Sequence, residues 1–579
     1  MLQGADVTPP RYATLGAMLR HAAEHAAPHD GLTFVGLDER ETSYSWLEIH
    51  GRASRAAASL ARRGVMPGDR VAMVLPTSIG FMDAFFGTVL ASAVPVPLYP
   101  PVRLGRLDEY QAATVRMLRT VGARLLITDG QVSPILGEVV EQSRCDAIPV
   151  EQLLDANAGI ELDSEPDALG LIQFSSGSTV APKAVALTHA QLLAQCEALC
   201  GVMRDCPGNT GVGAAWLPLY HDMGLIGCLL SAAYYPGRLV LIAPEHFLAK
   251  PALWLRAIAR HRAFISPAPN FAYAICTKRV RDADVASLDL SCWQLALNGA
   301  EPVLASTLDA FTERFAPFGF DGRALMPVYG LSEAALAVTF SPPGRGARVS
   351  AHGAVSVGVP LPGFIVRIAG EHDAALPDGA EGRVLCRGPS VMQGYFGDPL
   401  ATSDALRDGW LDTGDLGFVE DGELHISGRA KDVIIIRGAN FMPQQFEDAL
   451  LDLPGLRPGC AVAVGEISAD DGSEGLLILA ERSRNAALTD PELEVAVSTR
   501  VIERTGIRPQ RICVLAPGTL PRTSSGKLRR TEAARRFRAG LLTAPRRVNA
   551  WTMAPALARS ALAWLRVRFR GSRGGTTPS

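Results

Sequence analysis

An apolar, strand-like run from Leu169 to Phe174 opens into a loop of small hydroxylated residues, Ser175, Ser176, Gly177, Ser178 and Thr179, which closes through Pro182 on Lys183. Backbone N–H groups in such a loop can converge on anionic oxygens, because Gly177 has no Cβ to hold a ligand off. The hydroxyls add donors and Lys183 adds charge. The pattern predicts a cradle for the phosphates of a nucleotide at the end of a strand. It is not the common P-loop, which needs Gly-x-x-x-x-Gly-Lys-Ser/Thr: Gly177 precedes Lys183 by six positions, and Pro182 stands where that motif begins its helix. Taken alone, the segment also reads as a Ser/Gly-rich surface linker.

A chain of 579 residues, 48% apolar and 20% charged, is long enough for one large and one small domain with buried cores. Its ten cysteines are scattered and contain no Cys-x-x-Cys pair. Cys196, Cys200 and Cys206 read as core thiols in a reducing, cytoplasmic setting. His21, His25 and His29 recur at a spacing that can gather metal ligands on a helix, but Pro28 interrupts that helix, so a solvated face is expected. Met1 to Arg20 lacks the pattern of a signal peptide. The longest mostly apolar run, Ala84 to Leu98, is broken by Gly87, Pro95 and Pro97, and reads as a buried helix entering a strand rather than a membrane span. The net charge is −3, yet from Pro545 onward there are seven arginines and no acidic residue, so an acidic body carries a basic tail. No nucleic-acid partner is expected.

Up to residue 428, helix-like and short β-rich segments alternate, as at Arg70–Leu75 and Arg238–Ile242, which predicts an α/β fold of parallel sheets flanked by helices. From Val355 to Ile426, short strands between Gly and Pro turns predict a β-rich subdomain. A boundary is expected within Gly428–Arg437. Residues 1–428 then form the large domain, 429–433 a hinge, 434–541 a small mobile α+β lid, and 542–579 the basic tail. In the tail, Pro555 is expected to start a helix with Leu557, Ala561, Trp564 and Leu565 on one side and Arg559, Arg566 and Arg570 on the other. Such a helix is either solvated or docks on a membrane surface or a partner.

Further motifs follow the first in order: Trp216-Leu-Pro-Leu-Tyr-His-Asp-Met-Gly-Leu225, Asn298-Gly-Ala-Glu-Pro302, Tyr329-Gly-Leu-Ser-Glu333, Trp410-Leu-Asp-Thr-Gly-Asp415 and Leu520-Pro-Arg-Thr-Ser-Ser-Gly-Lys-Leu-Arg529. With the Ser175–Lys183 loop, this series resembles the adenylate-forming superfamily over roughly residues 10 to 540. The resemblance implies ATP as substrate with Mg²⁺, and a carboxylate that attacks the α-phosphate while pyrophosphate leaves. It assigns His221 a place beside the substrate carboxylate. It puts Asn298, Gly299, Ala300 and Glu301 along the adenine pocket, with Gly299 letting backbone approach the base. Tyr329 would stack on adenine with Gly330, Leu331 and Ser332 alongside, and Glu333 would be a hard oxygen ligand for the metal. Asp415 and Arg429 would hold the ribose, Lys431 would be the hinge residue, and Lys527 would contact the α-phosphate and carboxylate, with Gly526 letting its loop enter closely.

Within that superfamily the chain is most similar to fatty acyl-AMP ligases, through Ser-Gly-Ser-Thr in the loop, the Tyr-His-Asp-Met-Gly-Leu string, Ala268-Pro-Asn-Phe-Ala-Tyr273 and Leu297-Asn-Gly-Ala-Glu-Pro-Val303. This branch implies a fatty acid substrate, an apolar tunnel with Asn270 and Phe271 at its wall, and transfer of the acyl group to the phosphopantetheine thiol of an acyl carrier protein. Free CoA is the alternative acceptor. The branch carries a long insertion after the Tyr-Gly-Leu-x-Glu motif, whereas here 17 residues separate Val338 from Ser356. Val180 and Ala184 occupy positions that are glycine in many relatives, so either these positions need no left-handed backbone or ATP binding is weakened. Weakened binding would fit a non-catalytic nucleotide- or acyl-binding module. Asp222 also suits an ammonium partner and hence an amino acid substrate.

Overall fold

The computed structural model describes residues 1–101, 104–175, 182–204, 206–436, 439–467, 474–523, 526–545 and 550–573. Short Val/Leu/Ile-rich runs are buried on both faces, as parallel strands covered by helices must be. Leu325–Gly330, Leu295–Asn298, Ile265–Ala268, Val212–Ala215, Arg238–Ile242 and Gly31–Val35 lie side by side and parallel at the heart of a nine-stranded sheet. Antiparallel Glu41–Ser45 closes one edge, and Ala337–Phe340 with Val359–Pro360 the other. A second, fully parallel sheet orders Val94–Leu98, Arg70–Val74, Leu125–Thr128 and Asp146–Pro149. Pro95 and Pro97 cannot donate to a ladder, and they sit on its edge strand. The preceding helix Ile79–Leu90 is buried almost throughout, with Phe81, Phe85 and Phe86 in the core.

The β-rich expectation corresponds to a six-stranded antiparallel sheet built from Ile365–Ala369, Gly382–Arg387, Trp410–Glu420, Leu406–Arg407 and Glu423–Arg429. Its outer strand is Leu2–Gln3, so the first residues of the chain complete a unit formed more than 350 positions later. A three-stranded sheet, Leu169–Phe174 with Ala184–Thr188 and Gly394–Tyr395, links the phosphate-loop strand to that region. After the short turn Ala430–Asp432 comes the small domain. Its strands Leu456–Ile467, Glu474–Arg482 and Arg511–Leu515 alternate their side chains between two layers. Ala463, Leu476 and Ile478 face helix Asp490–Thr505, while Val462, Leu477 and Leu479 face Leu520 and helix Arg530–Arg538.

The tail corrects the expectation made for it. Its helix runs Ala550–Arg573 and takes Pro555 inside. Ser560 and Ala563 are buried against the subdomain of the four-stranded sheet, with Met553, Ala556, Trp564 and Val567 packed beside them, whereas Leu557, Leu562 and Leu565 are exposed. A pair of small residues sets this rotation. The Gly137 N–H donates to Ser560 Oγ at 2.8 Å, and the Ser560 backbone occupies the space a Cβ on Gly137 would need. Trp564 donates to the Ser133 carbonyl at 3.0 Å. Arg559 pairs with Glu138 and Asp108, and Arg566 with Glu141, so both arginines face protein acids. The side chain of Arg570 lies outside the described residues.

Candidate active site

Four neighbouring parallel strands of the large sheet end at one edge, where ligands of such sheets bind. Val212–Ala215 runs into the His221 motif, Ile265–Ala268 into Asn270 and Phe271, Leu295–Asn298 into Ala300 and Glu301, and Leu325–Gly330 into Ser332 and Glu333. Together they line a cavity of about 3080 Å³ that the small domain closes from above.

His221 directly precedes the short helix Asp222–Gly224, and its Nδ1 lies 2.6 Å from Asp222 Oδ1, which also accepts from the Met223 N–H at 2.7 Å. At that separation Nδ1–H donates to the carboxylate, which leaves Nε2 for another partner. The second oxygen, Asp222 Oδ2, accepts from Ser332 Oγ at 2.5 Å. Burial penalises the Asp222 charge, yet His221 and Ser332 more than offset it and hold the acid down to about 2. With His221 on one oxygen and Ser332 on the other, Asp222 is a brace for His221.

The Asn298 segment divides. Asn298 is fully buried and donates to Asn270 Oδ1 at 3.2 Å, away from the cavity wall. Gly299 is needed for a different reason from approach to a base: a Cβ there would stand 2.6 Å from the Val328 side chain and 2.8 Å from its carbonyl, forcing two adjacent strands apart. Ala300 and Glu301 do line the cavity. Ala300 adopts φ +66°, a left-handed conformation that costs a non-glycine residue about 1–2 kcal/mol and here turns the chain toward Glu301. Glu301 accepts from the Phe271 N–H at 2.6 Å, and burial raises its pKa. Asn270 Oδ1 also accepts from the Leu304 N–H, and the Phe271 ring packs edge-on against Trp216 at 5.8 Å.

Tyr329 donates its hydroxyl to Asp415 Oδ2 at 2.7 Å, and Arg429 Nε donates to Oδ1 at 3.1 Å. Asp415 and Arg429 are direct partners in the ladder between Trp410–Glu420 and Glu423–Arg429, which fixes their meeting. Burial raises the pKa of Asp415 even against Arg429. Leu331 lines the cavity, and Gly330 packs where a Cβ would strike the Leu336 carbonyl.

Of the phosphate loop, Ser176, Gly177, Ser178 and Thr179 lie outside the described residues, as does Val180. Its two ends are fixed: the Ser175 N–H donates to the Lys183 carbonyl at 2.8 Å, and the Lys183 N–H to Ser175 Oγ at 3.3 Å. Ala184 is a buried strand residue without left-handed backbone, so that departure from glycine carries no strain. The Lys183 ammonium lies 4.4 Å above the centre of the Tyr395 ring, and Tyr395 donates to Glu333 Oε1 at 2.8 Å. Sequence reasoning misses Tyr395, because its only signal is an aromatic in a Gly-Tyr pair, 62 positions from Glu333 and 212 from Lys183.

From the small domain, Lys527 enters this cluster half-buried. Burial pushes its ammonium down from the ordinary lysine range, while the carboxylates of Asp222, Glu301 and Asp415 pull the other way. Its loop is held by Arg522, which donates to the Gly526 carbonyl at 2.7 Å, and by the Lys527 N–H on Thr523 Oγ1 at 3.1 Å. Gly526 adopts a φ of +92°, a left-handed backbone that favours glycine in this loop. Lys431 is exposed in the turn between the domains. Among the described residues, no group of three or more His, Cys, Asp or Glu could hold a metal. Glu333 alone, with one oxygen taken by Tyr395, fits Mg²⁺ that arrives on phosphate oxygens, the ordinary mode for that ion.

The Asp222 brace has a pH signature. Its folded pKa of about 2 lies below the ordinary 3.8, so its contribution to stability is complete above pH 4 and is lost as pH falls through 2. Unfolding free energy measured by denaturant titration between pH 5 and 2 is expected to fall less steeply in Asp222→Asn than in the parent chain; identical slopes would refute the pairing.

Comparison with known proteins accords with this geometry. The AMP-binding enzyme family matches residues 19–396. A putative acyl-CoA synthetase of Caulobacter vibrioides is 35% identical, over 84% of this chain and 89% of its own length. The medium-chain-fatty-acid–[acyl-carrier-protein] ligase JamA of Moorena producens is 31% identical, over 92% and 96%. A structure from a study of fatty acyl-adenylate ligases of E. coli and L. pneumophila superposes with a TM-score of 0.84 at 32% identity, covering 92% of this chain and 99% of that one. The chain belongs to the AMP-binding enzyme family, the adenylate-forming ligases, and within it is similar to fatty acyl-AMP ligases.

Proposed function

We propose that this enzyme activates a fatty acid with ATP to acyl-AMP and then passes the acyl group to the phosphopantetheine thiol of an acyl carrier protein. What carries this reading is that Lys527, from the small domain, lines the same cavity as Asp222, Glu301 and Asp415 of the large one, a cationic group at a cleft edge built from four strand ends. In the first half-reaction a carboxylate oxygen attacks the α-phosphorus, the bond to the bridging oxygen breaks, and pyrophosphate leaves with the electron pair. Two anions approach and a third departs, so fixed positive charge at the reacting centre is the main catalytic resource. Lys527 supplies it, and His221, held at Nδ1 by Asp222, offers Nε2 to the fatty acid carboxylate. Asp415 and Arg429 take the ribose, Tyr329 flanks the base, and Glu333 receives Mg²⁺, which shields phosphate charge when bound. Phe271 walls the acyl tunnel beside Trp216, with Asn270 bracing it from behind.

In the second half-reaction the small domain rotates at Lys431, Lys527 withdraws, and the thiol sulfur attacks the acyl carbonyl while AMP leaves. Rotation must break two further ties: Arg106 donates to the Thr519 and Thr543 carbonyls, and Arg536 pairs with Glu109. The carrier-protein acceptor is supported by the similarity to JamA. Free CoA is the second reading, favoured by the short Val338–Ser356 connection and by the relative named as an acyl-CoA synthetase. The tail helix has a separate part: its exposed Leu557, Leu562 and Leu565 beside a basic sequence suit peripheral contact with an anionic membrane. Among the described residues no helix is long and apolar enough to cross a membrane.

Lys527→Ala is expected to lower fatty-acid-dependent pyrophosphate exchange by about 10²–10³; unchanged exchange would remove Lys527 from the mechanism. Enzyme loaded with acyl-AMP, mixed with CoA or with holo carrier protein and examined by mass, is expected to give the carrier thioester, and exclusive acyl-CoA would establish the second reading. Ending the chain at Ala544 is expected to abolish sedimentation with phosphatidylserine vesicles. Equal binding by both chains would dismiss the membrane role.

A further inference from the structure

Two opposite charges of the proposed phosphate end lie on either side of a single phenol. Lys183 closes the Ser175 loop, and Glu333 ends the Tyr329 motif. Left to themselves, an ammonium and a carboxylate sharing a partly dehydrated cleft attract strongly, and a direct pair would cancel both. The structure gives each a neutral partner instead. The Lys183 ammonium stands over the Tyr395 ring face at 4.4 Å, where the ring quadrupole attracts a cation. The hydroxyl at the edge of the same ring donates to Glu333 Oε1 at 2.8 Å. Among the described residues, neither group has an ion-pair partner.

Tyr395 is itself held from several sides. It is only 8% exposed. Its N–H donates to Thr402 Oγ1 at 2.9 Å, and Gly394–Tyr395 pairs with Val185 and Ala186 on the strand that follows Lys183. Two residues on either side of this strand tie the same partners by backbone: the Met392 N–H donates to the Glu333 carbonyl at 2.8 Å, and the Phe396 N–H to the Ala184 carbonyl at 2.7 Å. The segment 392–396 therefore spans from the Glu333 backbone to the Lys183 strand.

We propose that Tyr395 is a positioning residue that keeps Lys183 and Glu333 apart and separately available, the ammonium for ATP phosphate oxygens and the carboxylate for the magnesium bound to them. The inference rests on the functional reading above and adds a residue to it. Tyr395 acts through its two neighbours: its ring fixes the cation, and its hydroxyl fixes one carboxylate oxygen and turns the other toward the phosphates.

Tyr395→Phe keeps the ring and removes the hydroxyl, whereas Tyr395→Leu removes both. Calorimetric titration with ATP in EDTA and with ATP plus excess Mg²⁺ separates the two roles without turnover. Tyr395→Phe is expected to bind metal-free ATP like the parent chain but to lose roughly tenfold of the affinity gained from magnesium, the scale of one hydrogen bond to a charged group. Tyr395→Leu is expected to weaken both titrations, and Glu333→Gln added to Tyr395→Phe should cause little further loss. The inference is overturned if Tyr395→Phe matches the parent with and without magnesium, or if it weakens both titrations equally, as a merely structural residue would. The phenylalanine variant preserves packing, so it decides the matter even where the leucine variant folds poorly. Parent-chain pyrophosphate exchange is measured alongside: its absence sinks the functional reading, while its presence with unaltered magnesium dependence in Tyr395→Phe sinks only the role of Tyr395.

Discussion

A lysine from the small domain lining the same cavity as three acids of the large one is the arrangement on which the rest of this structure turns. Lys527 is drawn by Asp222, Glu301 and Asp415 and opposed by burial and by Arg429. No one of these acids is positioned by its own local sequence. Asp222 starts a short helix after one strand, Glu301 follows a left-handed residue after another, and Asp415 lies in the antiparallel sheet opposite Arg429. Each is oriented by a second residue, His221 with Ser332, the Phe271 backbone, or Tyr329 with Arg429. The cluster is therefore a meeting of units, with the small domain supplying its lysine.

The closed arrangement is restrained at both ends of the small domain. At its start, Ala430–Asp432 follows directly from the strand that carries Arg429. At its end, the tail helix packs back on the large domain through Ser560, Ala563 and Trp564. Between these, Arg106 and Glu109 reach Thr519, Thr543 and Arg536. The polar ties are partly exposed and individually weak, of the order of 0.2–1 kcal/mol for surface ion pairs. The apolar helix contact is of another kind, and it fixes the far end of the tail on the large domain.

Much of the architecture is legible in the sequence because it rests on local patterning. Alternating apolar runs and helix signals predict parallel sheets with covering helices, and the run from Ala84 to Leu98 becomes a buried helix and an edge strand for reasons its own prolines state. The Leu2–Gln3 strand is invisible there because two residues carry no periodicity. The tail helix is legible as a helix, but its faces are not. Hydrophobicity favours Leu557 and Leu565 as the buried side, whereas the small surface at Ser560 decides which side fits against Gly137. Gly299 and Gly526 read as room for a ligand, and the structure adds strand packing at the first and a positive φ at the second, needs that depend on neighbours no single sequence displays.

By itself the sequence determined the strand ends, the order of the polar motifs and the residue types able to handle phosphate charge, since these follow from local hydrophobic period and side-chain chemistry. Only the tertiary structure decided which of those groups meet. It committed Asp222 to His221 and Ser332, paired Tyr329 with Asp415, turned Asn298 into the interior and brought Tyr395 between Lys183 and Glu333. Hydrogen bonds and charge interactions act over a few ångströms, and Lys183 and Tyr395, 212 positions apart, come within that range only when the strands bearing them are packed into one fold.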